Sequence, residues 1–225
     1  YEIKMRMDNI YKILYNIVII YVIISFIEWF FHKYIMHGDP TSLRKIPIIG
    51  KTLSHIAIEH NTHHKQILMD MHYIKDGITN GFHWFETFLV CIVFTIFVKL
   101  FTTINDNKII LFITVSMTIC YCFLWNTIHN KMHYTTKTIT IKQGVPSIIL
   151  DDTIMKNPLY KYLYINHGIH HLQKGEKYNY NIILPLFDHI FFTKKTGQCY
   201  NNESYCKNNK HDKRCKSKVI GCMDL

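Results

Sequence analysis

The sequence predicts an all-α fold, an integral membrane bundle of helices with a histidine-rich cap on its cytosolic side. Two observations predict it: three long apolar stretches, and a concentration of histidines beside them. Of the 225 residues, 48% are hydrophobic and 19% are charged. This composition excludes an intrinsically disordered protein, because such chains carry too few apolar residues to form a core. We expect one membrane domain over residues 1–195 and a separate tail over residues 196–225.

The three apolar stretches are expected to cross a membrane. They run over residues 13–31, 84–104 and 109–125, close to the roughly 20 residues that a spanning helix needs. The middle stretch is the weakest, since it has Glu86 and Lys99 near its ends. The alternative is three buried helices of a soluble bundle. It is disfavoured because the stretches are apolar all round and lack the polar stripe of a surface helix.

The cations predict which ends of the spans face the cytosol. Of the 26 Lys and Arg residues, 21 fall in segments 32–83 and 126–225, which the positive-inside tendency makes cytosolic. The tryptophans lie at those same ends, as an aromatic belt would place them: Trp29, Trp84 and Trp125. Three cations disagree with this orientation: Lys4, Arg6 and Lys12. A further span upstream of Tyr1 would remove the disagreement.

The net charge of +10 raises the alternative of a nucleic-acid binder. We do not expect one, because the cations are spread among the spans and the tail without a recognisable binding motif. The tail after residue 195 is basic and polar, and its cysteines are too far apart for the usual zinc-ligand spacing: Cys199, Cys206, Cys215 and Cys222. We expect a disordered tail whose cations contact anionic lipid headgroups.

Ten of the 15 histidines fall in four boxes beside the predicted cytosolic face: His32 and His37; His60, His63 and His64; His129 and His133; His167, His170 and His171. Positions i, i+3 and i+4 share one face of a helix, so the members of the second and fourth boxes should converge. His32 and His37 are five residues apart and diverge by about 140° on an ideal α-helix. They would therefore suit two different metal ions better than one.

The boxes predict a metal centre, because neutral imidazole is the commonest protein metal ligand and suits iron, zinc and copper. Ten ligands divide into two ions with about five ligands each. The alternative, histidines with ordinary local partners, explains one box but not four on the same side. Five histidines fit no box and are taken as ordinary polar residues, with His72 a minor candidate for contact with a ligand: His55, His72, His83, His189 and His211.

The ordered set of boxes resembles the fatty acid hydroxylase and sterol desaturase superfamily of membrane oxygenases. Residues 28–31, Glu-Trp-Phe-Phe, are similar to the acidic and aromatic lead-in of that family. Asn179, after the fourth box, stands where that family tends to carry Asn or Gly, and the stretches 183–188 and 191–193 resemble its closing signature. The resemblance covers roughly residues 10–195. Each box alone is nonspecific, whereas the ordered set is characteristic.

The resemblance implies a non-haem diiron enzyme of the endoplasmic reticulum that uses dioxygen to hydroxylate a lipid C–H bond. It implies two iron ions, for which zinc can substitute in the isolated protein, and a lipid substrate. Electrons would come from NAD(P)H through a reductase and a separate b-type cytochrome. Glu28 is expected either to fix the tautomer of a ligand histidine or to cap the aromatic belt. Asp188 is expected either to support a ligand in the same way or to cap a helix.

Three interpretations remain open from the sequence. The arrangement of the first and third boxes is most similar to the branch that hydroxylates fatty acyl chains. A desaturase or a sterol oxidase would use the same metal chemistry. A non-catalytic relative would keep the histidines only to hold metal.

Overall fold

The computed structural model describes residues 2–67, 71, 81–133, 145–172 and 177–195. Within these ranges the fold is all-helical, as the sequence predicts. The predicted tail, His72 and His211 lie outside the described residues.

The first helix, α1, runs over Glu2–Phe30 and continues without a break as a π-helix over Phe31–Met36. Together with the π-helix, its apolar part spans Ile10–Met36, longer at both ends than the predicted 13–31. The π-helix closes with the N–H of His37 donating to the carbonyl of His32 at 3.1 Å. The apolar helix therefore continues without a break through His32 and ends beside His37, the two members of the first histidine box.

Two further long helices follow in the described chain, α4 over Trp84–Phe101 and α5 over Asn107–Met132. Helix α4 packs against both α1 and α5. Helix α4 ends three residues before the predicted boundary at residue 104. Asp106 caps the start of α5, where its carboxylate accepts from the N–H of Lys108 at 2.8 Å. With α1, these helices are long and apolar enough to cross a membrane. Many of their apolar side chains face outward, as a lipid-facing surface requires; Phe112, for example, is 73% exposed.

The shorter helices form the cap. Helix α2 covers Pro40–Leu43 and α3 covers Gly50–Gln66. A 3₁₀ turn over Asp152–Lys156 precedes α6, which covers Pro158–Leu172, and α7 covers Phe187–Ile190. Gly50 lets α3 start against α2, because a Cβ atom there would lie 2.6 Å from the carbonyl oxygen of Arg44.

The main core runs continuously from the long helices into the cap. Its buried residues come from α1, α4, α5, α6 and the loop after α6, and include Ile27, Phe94, Trp125, Tyr164 and Ile182. The ends of α1 and α5 that carry His32 and His129 lie beside α3 and α6. This junction is where the four histidine boxes lie.

Candidate metal centre

The structure brings all ten boxed histidines together and sorts them into two groups of five. The first group contains His32, His37, His60, His64 and His170. The second group contains His63, His129, His133, His167 and His171. In each group, one ring nitrogen per histidine lies within 4.8 Å of the others. Each group can hold a metal ion, so the expected division into two sets of five is what the geometry shows.

The expectation that His32 and His37 serve different ions is wrong, since both belong to the first group. The π-helix explains the difference. Its hydrogen bonds join residues i and i+5 instead of i and i+4, which places His37 one wide turn beyond His32. The two rings consequently stack, with centroids 5.1 Å apart.

The expectation that each His-x-x-His-His box converges on one site is also wrong. In α3, His60 and His64 join the first group whereas His63 joins the second. In α6, His167 and His171 join the second group and His170 the first. Adjacent positions differ by about 100° around a helix, while i and i+4 differ by about 40°. Helices α3 and α6 therefore lie between the groups and contribute to both.

The contacts in the first group centre on His60. Its Nε2 lies 3.1 Å from the Nε2 atoms of His32, His37 and His64. One ring nitrogen carries either one hydrogen or one lone pair, so it cannot hydrogen-bond to three others at once. Two imidazoles bound to one ion at about 2.1 Å and at right angles would be about 3.0 Å apart. The spacing fits shared coordination better than hydrogen bonding.

The second group has the same spacing. His133 Nε2 lies 3.3 Å from that of His129 and 3.0 Å from that of His167. His167 Nε2 is in turn 3.1 Å from that of His171. These residues also meet through Nε2, so the chemistry of the donor set and its distances suit a metal ion in this group as in the first.

The histidines are held neutral by burial. Every member of the two groups except His37 is buried. Burial and the neighbouring His170 lower the pKa of His37 to about 2. Burial lowers the pKa of His170 to about 4, against a hydrogen bond to Tyr178 that favours the charged form. Neutral imidazoles have a lone pair available for a metal at neutral pH.

Backbone carbonyls set the tautomers of three histidines. The Nδ1–H of His32 donates to the carbonyl of Tyr180 at 2.6 Å, and that of His170 donates to the carbonyl of Tyr178 at 2.6 Å. In the second group, the Nδ1–H of His133 donates to the carbonyl of Met71 at 3.3 Å. Because Nδ1 carries the hydrogen, Nε2 carries the lone pair that can bind an ion.

Glu28 and Asp188 stabilise the loop that supplies two of these carbonyls, residues 178–186. Glu28 is 3% exposed; its carboxylate accepts from the N–H groups of Ile182, Ile183 and Leu184 at 2.7–3.0 Å. Both carboxylates therefore act on this loop. The expectation that each supports a ligand histidine stays a prediction, as do the alternatives that Glu28 caps the aromatic belt and that Asp188 caps a helix.

Sequence reasoning missed the role of Tyr178 and Tyr180, because they act through backbone carbonyls that any residue would supply. Asn179, between them, has a φ of 55°; Asn tolerates this left-handed conformation better than most residues. Its side chain ties the loop down by donating to the carbonyl of Asn166 at 3.2 Å. An Asn between two aromatic residues was the one available sequence signal.

The remaining described histidines lie outside both groups. His55 pairs with Glu59 on the surface at 3.2 Å. His83 precedes α4, and its backbone N–H donates to Glu86 at 3.1 Å. His189 lies 3.4 Å from the hydroxyl of Tyr162. They are ordinary polar residues, as expected.

Searches against family models, curated proteins and solved structures find no match to this chain.

A narrow pocket of about 50 Å³ adjoins both groups. His60 of the first group and His129 of the second are part of its wall. Most of the other described lining residues are apolar: Phe31, Met36, Ile56, Phe82, Leu89, Val90 and Trp125. An apolar molecule in this pocket would contact both groups at once.

Proposed function

We propose that the chain is a membrane-bound, dioxygen-dependent hydroxylase of a lipid C–H bond, acting on a fatty acyl chain. One observation carries the proposal. Two adjacent groups of five histidines, nine of the ten buried, share a largely apolar pocket, and each group contributes one histidine to its wall. A single structural zinc would need only four ligands, whereas this arrangement provides for two ions and an apolar substrate.

The ligand set fits a pair of iron ions, and zinc can enter the same sites in the isolated protein. When bound, the two irons would supply the oxidising chemistry that an unactivated C–H bond needs and that no side chain provides. The chain's own contribution is to orient ten imidazoles through Nε2 and to keep them neutral. Burial of the histidines also limits access of water to the centre.

The wall of the pocket suits the hydrocarbon part of a lipid. Its aromatic part is built around Trp125, which packs on Phe82 with ring centroids 5.5 Å apart and on His129 at 5.1 Å. Leu89 and Val90 come from α4, one of the helices able to span a membrane. Methylene groups gain from burial on such a surface. The choice of a fatty acyl chain over a sterol rests on the resemblance of the histidine boxes.

The position of the centre supports delivery of the substrate by the bilayer. His32 and His129 lie in the last turns of apolar helices, so the centre lies at one end of the proposed spans. We place that end at the cytosolic face of the endoplasmic reticulum, because most cations lie on the same side. Electrons from NAD(P)H would arrive there through a reductase and a separate b-type cytochrome. This proposal is supported by the resemblance to the fatty acid hydroxylase and sterol desaturase superfamily.

A yeast host expressing the chain tests the proposal by untargeted lipid mass spectrometry. His170→Ala removes a member of the first group, and His55→Ala removes a surface histidine outside both groups. We expect a lipid that gains one oxygen with the parent and with His55→Ala, but not with His170→Ala. Purified parent protein should contain two metal ions per chain.

Other outcomes would change the conclusion. A lipid that loses two hydrogens would replace hydroxylation by desaturation with the same centre. Oxidised sterols in place of modified acyl chains would replace the fatty acyl substrate by a sterol. Two bound metals without a changed lipid, in membranes supplied with NADPH, reductase and cytochrome, would favour a non-catalytic metal-binding protein.

A further inference from the structure

A single peptide unit links a buried carboxylate to a histidine of the first group. The N–H of Asn181 donates to Asp188 Oδ2 at 2.7 Å. The carbonyl of Tyr180, on the other side of the same peptide bond, accepts from the Nδ1–H of His32 at 2.6 Å. The N–H and C=O of a trans peptide point in opposite directions. Asp188 and His32 therefore lie on opposite sides of this peptide and are linked through its two hydrogen bonds.

Asp188 is surrounded by donors. Its side chain is fully buried. Oδ1 accepts from the N–H of Tyr180 at 2.9 Å and from the hydroxyl of Thr193 at 2.7 Å. Burial raises the pKa of Asp188, and the three donors that face the carboxylate oppose that rise by favouring the ionised form. A buried carboxylate held by three donors therefore lies at one end of the chain of hydrogen bonds, and a metal-binding imidazole lies at the other.

Hydrogen bonds in series polarise one another, each becoming stronger by roughly 10–30% in condensed-phase estimates. A negative charge next to the N–H increases the electron density on the carbonyl of the same peptide. That carbonyl then accepts more strongly from Nδ1–H and makes the opposite nitrogen of the ring more basic. A carboxylate bonded directly to a metal-bound histidine has the same effect.

We propose that Asp188 is a positioning residue for the first metal site and acts on His32 through the Tyr180–Asn181 peptide. It holds the carbonyl in place, fixes the Nδ1–H tautomer of His32, and raises the affinity of His32 Nε2 for a cation. No proton moves along the chain of hydrogen bonds. The proposal rests on the metal centre of the proposed function, but it does not depend on the reaction performed there.

The Tyr178–Asn179 peptide, which contacts His170, differs from the Tyr180–Asn181 peptide because its N–H does not donate to a carboxylate. The N–H of Asn179 belongs to the peptide whose carbonyl accepts from His170, and it donates to the carbonyl of Thr193 at 2.9 Å. That second chain of hydrogen bonds ends in a neutral group. Removal of the charge of Asp188 should therefore weaken the contribution of His32 most.

Zinc titration of the metal-free protein in nanodiscs, against a chromophoric chelator at pH 7.5, tests the proposal. In Asp188→Asn we expect one of the two sites to lose affinity by about 10- to 100-fold, as other indirect supports of metal ligands do, while the other site is unchanged. Ser25→Ala is the matched control. Ser25 is also fully buried and donates to the same loop, at the carbonyl of Leu184 at 2.6 Å, but that carbonyl contacts no described histidine. It should keep both affinities.

Equal affinities in the parent and in Asp188→Asn would overturn the proposal. An equal loss in Asp188→Asn and Ser25→Ala would also overturn it, because the loop as a whole would then be responsible. A parent protein that binds no zinc would overturn the proposed metal centre as well. Two tight zinc ions in a parent that modifies no lipid would overturn only the proposed function.

A second measurement needs no variant, which matters if Asp188→Asn fails to fold. Infrared difference spectra, with and without zinc, are recorded on parent protein labelled with [4-¹³C]Asp. Zinc binding to the first site should shift a carboxylate band, because the peptide couples His32 to Asp188. Spectra without any labelled carboxylate band would contradict the coupling.

Discussion

The long helices and the cap around the histidines are built in opposite ways. Along α4 and α5, apolar side chains such as Phe88, Leu100 and Phe112 face outward and are 60–73% exposed. In the cap, polar side chains such as His167, Asn181 and Asp188 are fully buried. The first arrangement is suited to contact with hydrocarbon. The second arrangement requires a hydrogen-bond or metal partner for each buried polar group. The stability of the cap therefore depends on individual residues more than the stability of the long helices does.

Loss of one central histidine should give the largest effect. His133 Nε2 contacts two other members of the second group, so His133→Ala should remove one metal ion per chain and abolish lipid modification. Metal analysis and lipid mass spectrometry check this. His83→Ala, outside both groups, is the control. Retention of two metals by His133→Ala would contradict the assignment of His133 as a ligand.

Acid should destabilise the cap before it affects the long helices. Because the pKa of His170 is about 4 and that of His37 about 2 in the folded protein, both stay neutral when folded, while unfolded histidines bind protons near pH 6.5. The unfolded state then binds more protons, so stability is complete above about pH 6.5 and falls as the pH drops towards about 4. Near-UV circular dichroism of the metal-free protein should change in this window while helical content persists. A signal that is constant down to pH 4 would contradict the burial of neutral histidines.

Two phenylalanines compare packing with lipid exposure in the long helices. Phe94 is 1% exposed and belongs to the core, so Phe94→Ala should cost about 3–5 kcal/mol of unfolding free energy. Phe112 is 73% exposed, and Phe112→Ala should change stability by about 0.5 kcal/mol or less. Denaturation in mixed micelles measures both. Similar losses in the two variants would mean that Phe112 is covered by protein, as in an oligomer.

A small effect, confined to one helix end, is expected at the capped start of α5, far from the histidines. Asp106→Ala removes the acceptor for the N–H of Lys108 and should cost about 1 kcal/mol of stability. Thermal unfolding measures the change, and metal content should stay at the parent value. Loss of metal in this variant would show that the two regions are energetically coupled.

The sequence predicted the helical class and the three long helices because apolar length is a local property of the chain. It also identified all ten grouped histidines, since their spacing repeats in four boxes. It could not assign them correctly to two groups. That assignment depends on how α3 and α6 lie between the sites and on hydrogen bonding within residues 31–36, which composition does not encode.

The connection from Asp188 to His32 was beyond sequence reasoning for a different reason. Asp188 and Glu28 were recognisable as acids near the boxes, but the groups between them and the histidines are peptide units. Every residue has a backbone carbonyl, so the sequence does not indicate which carbonyl contacts a histidine. Only the fold shows that the loop after α6 presents its N–H groups to two carboxylates and its carbonyls to His32 and His170.

The π-helix at residues 31–36 has a consequence for how such sites are compared between proteins. A histidine five positions along a π-turn occupies about the same place as one four positions along an α-turn. Deleting one residue between His32 and His37 while restoring α-helical bonding would therefore leave the pair facing the same ion. A box with three residues between its histidines on an α-helix and a box with four on a π-helix can therefore provide the same pair of ligands. A sequence alignment that penalises the extra residue would separate proteins that share the site.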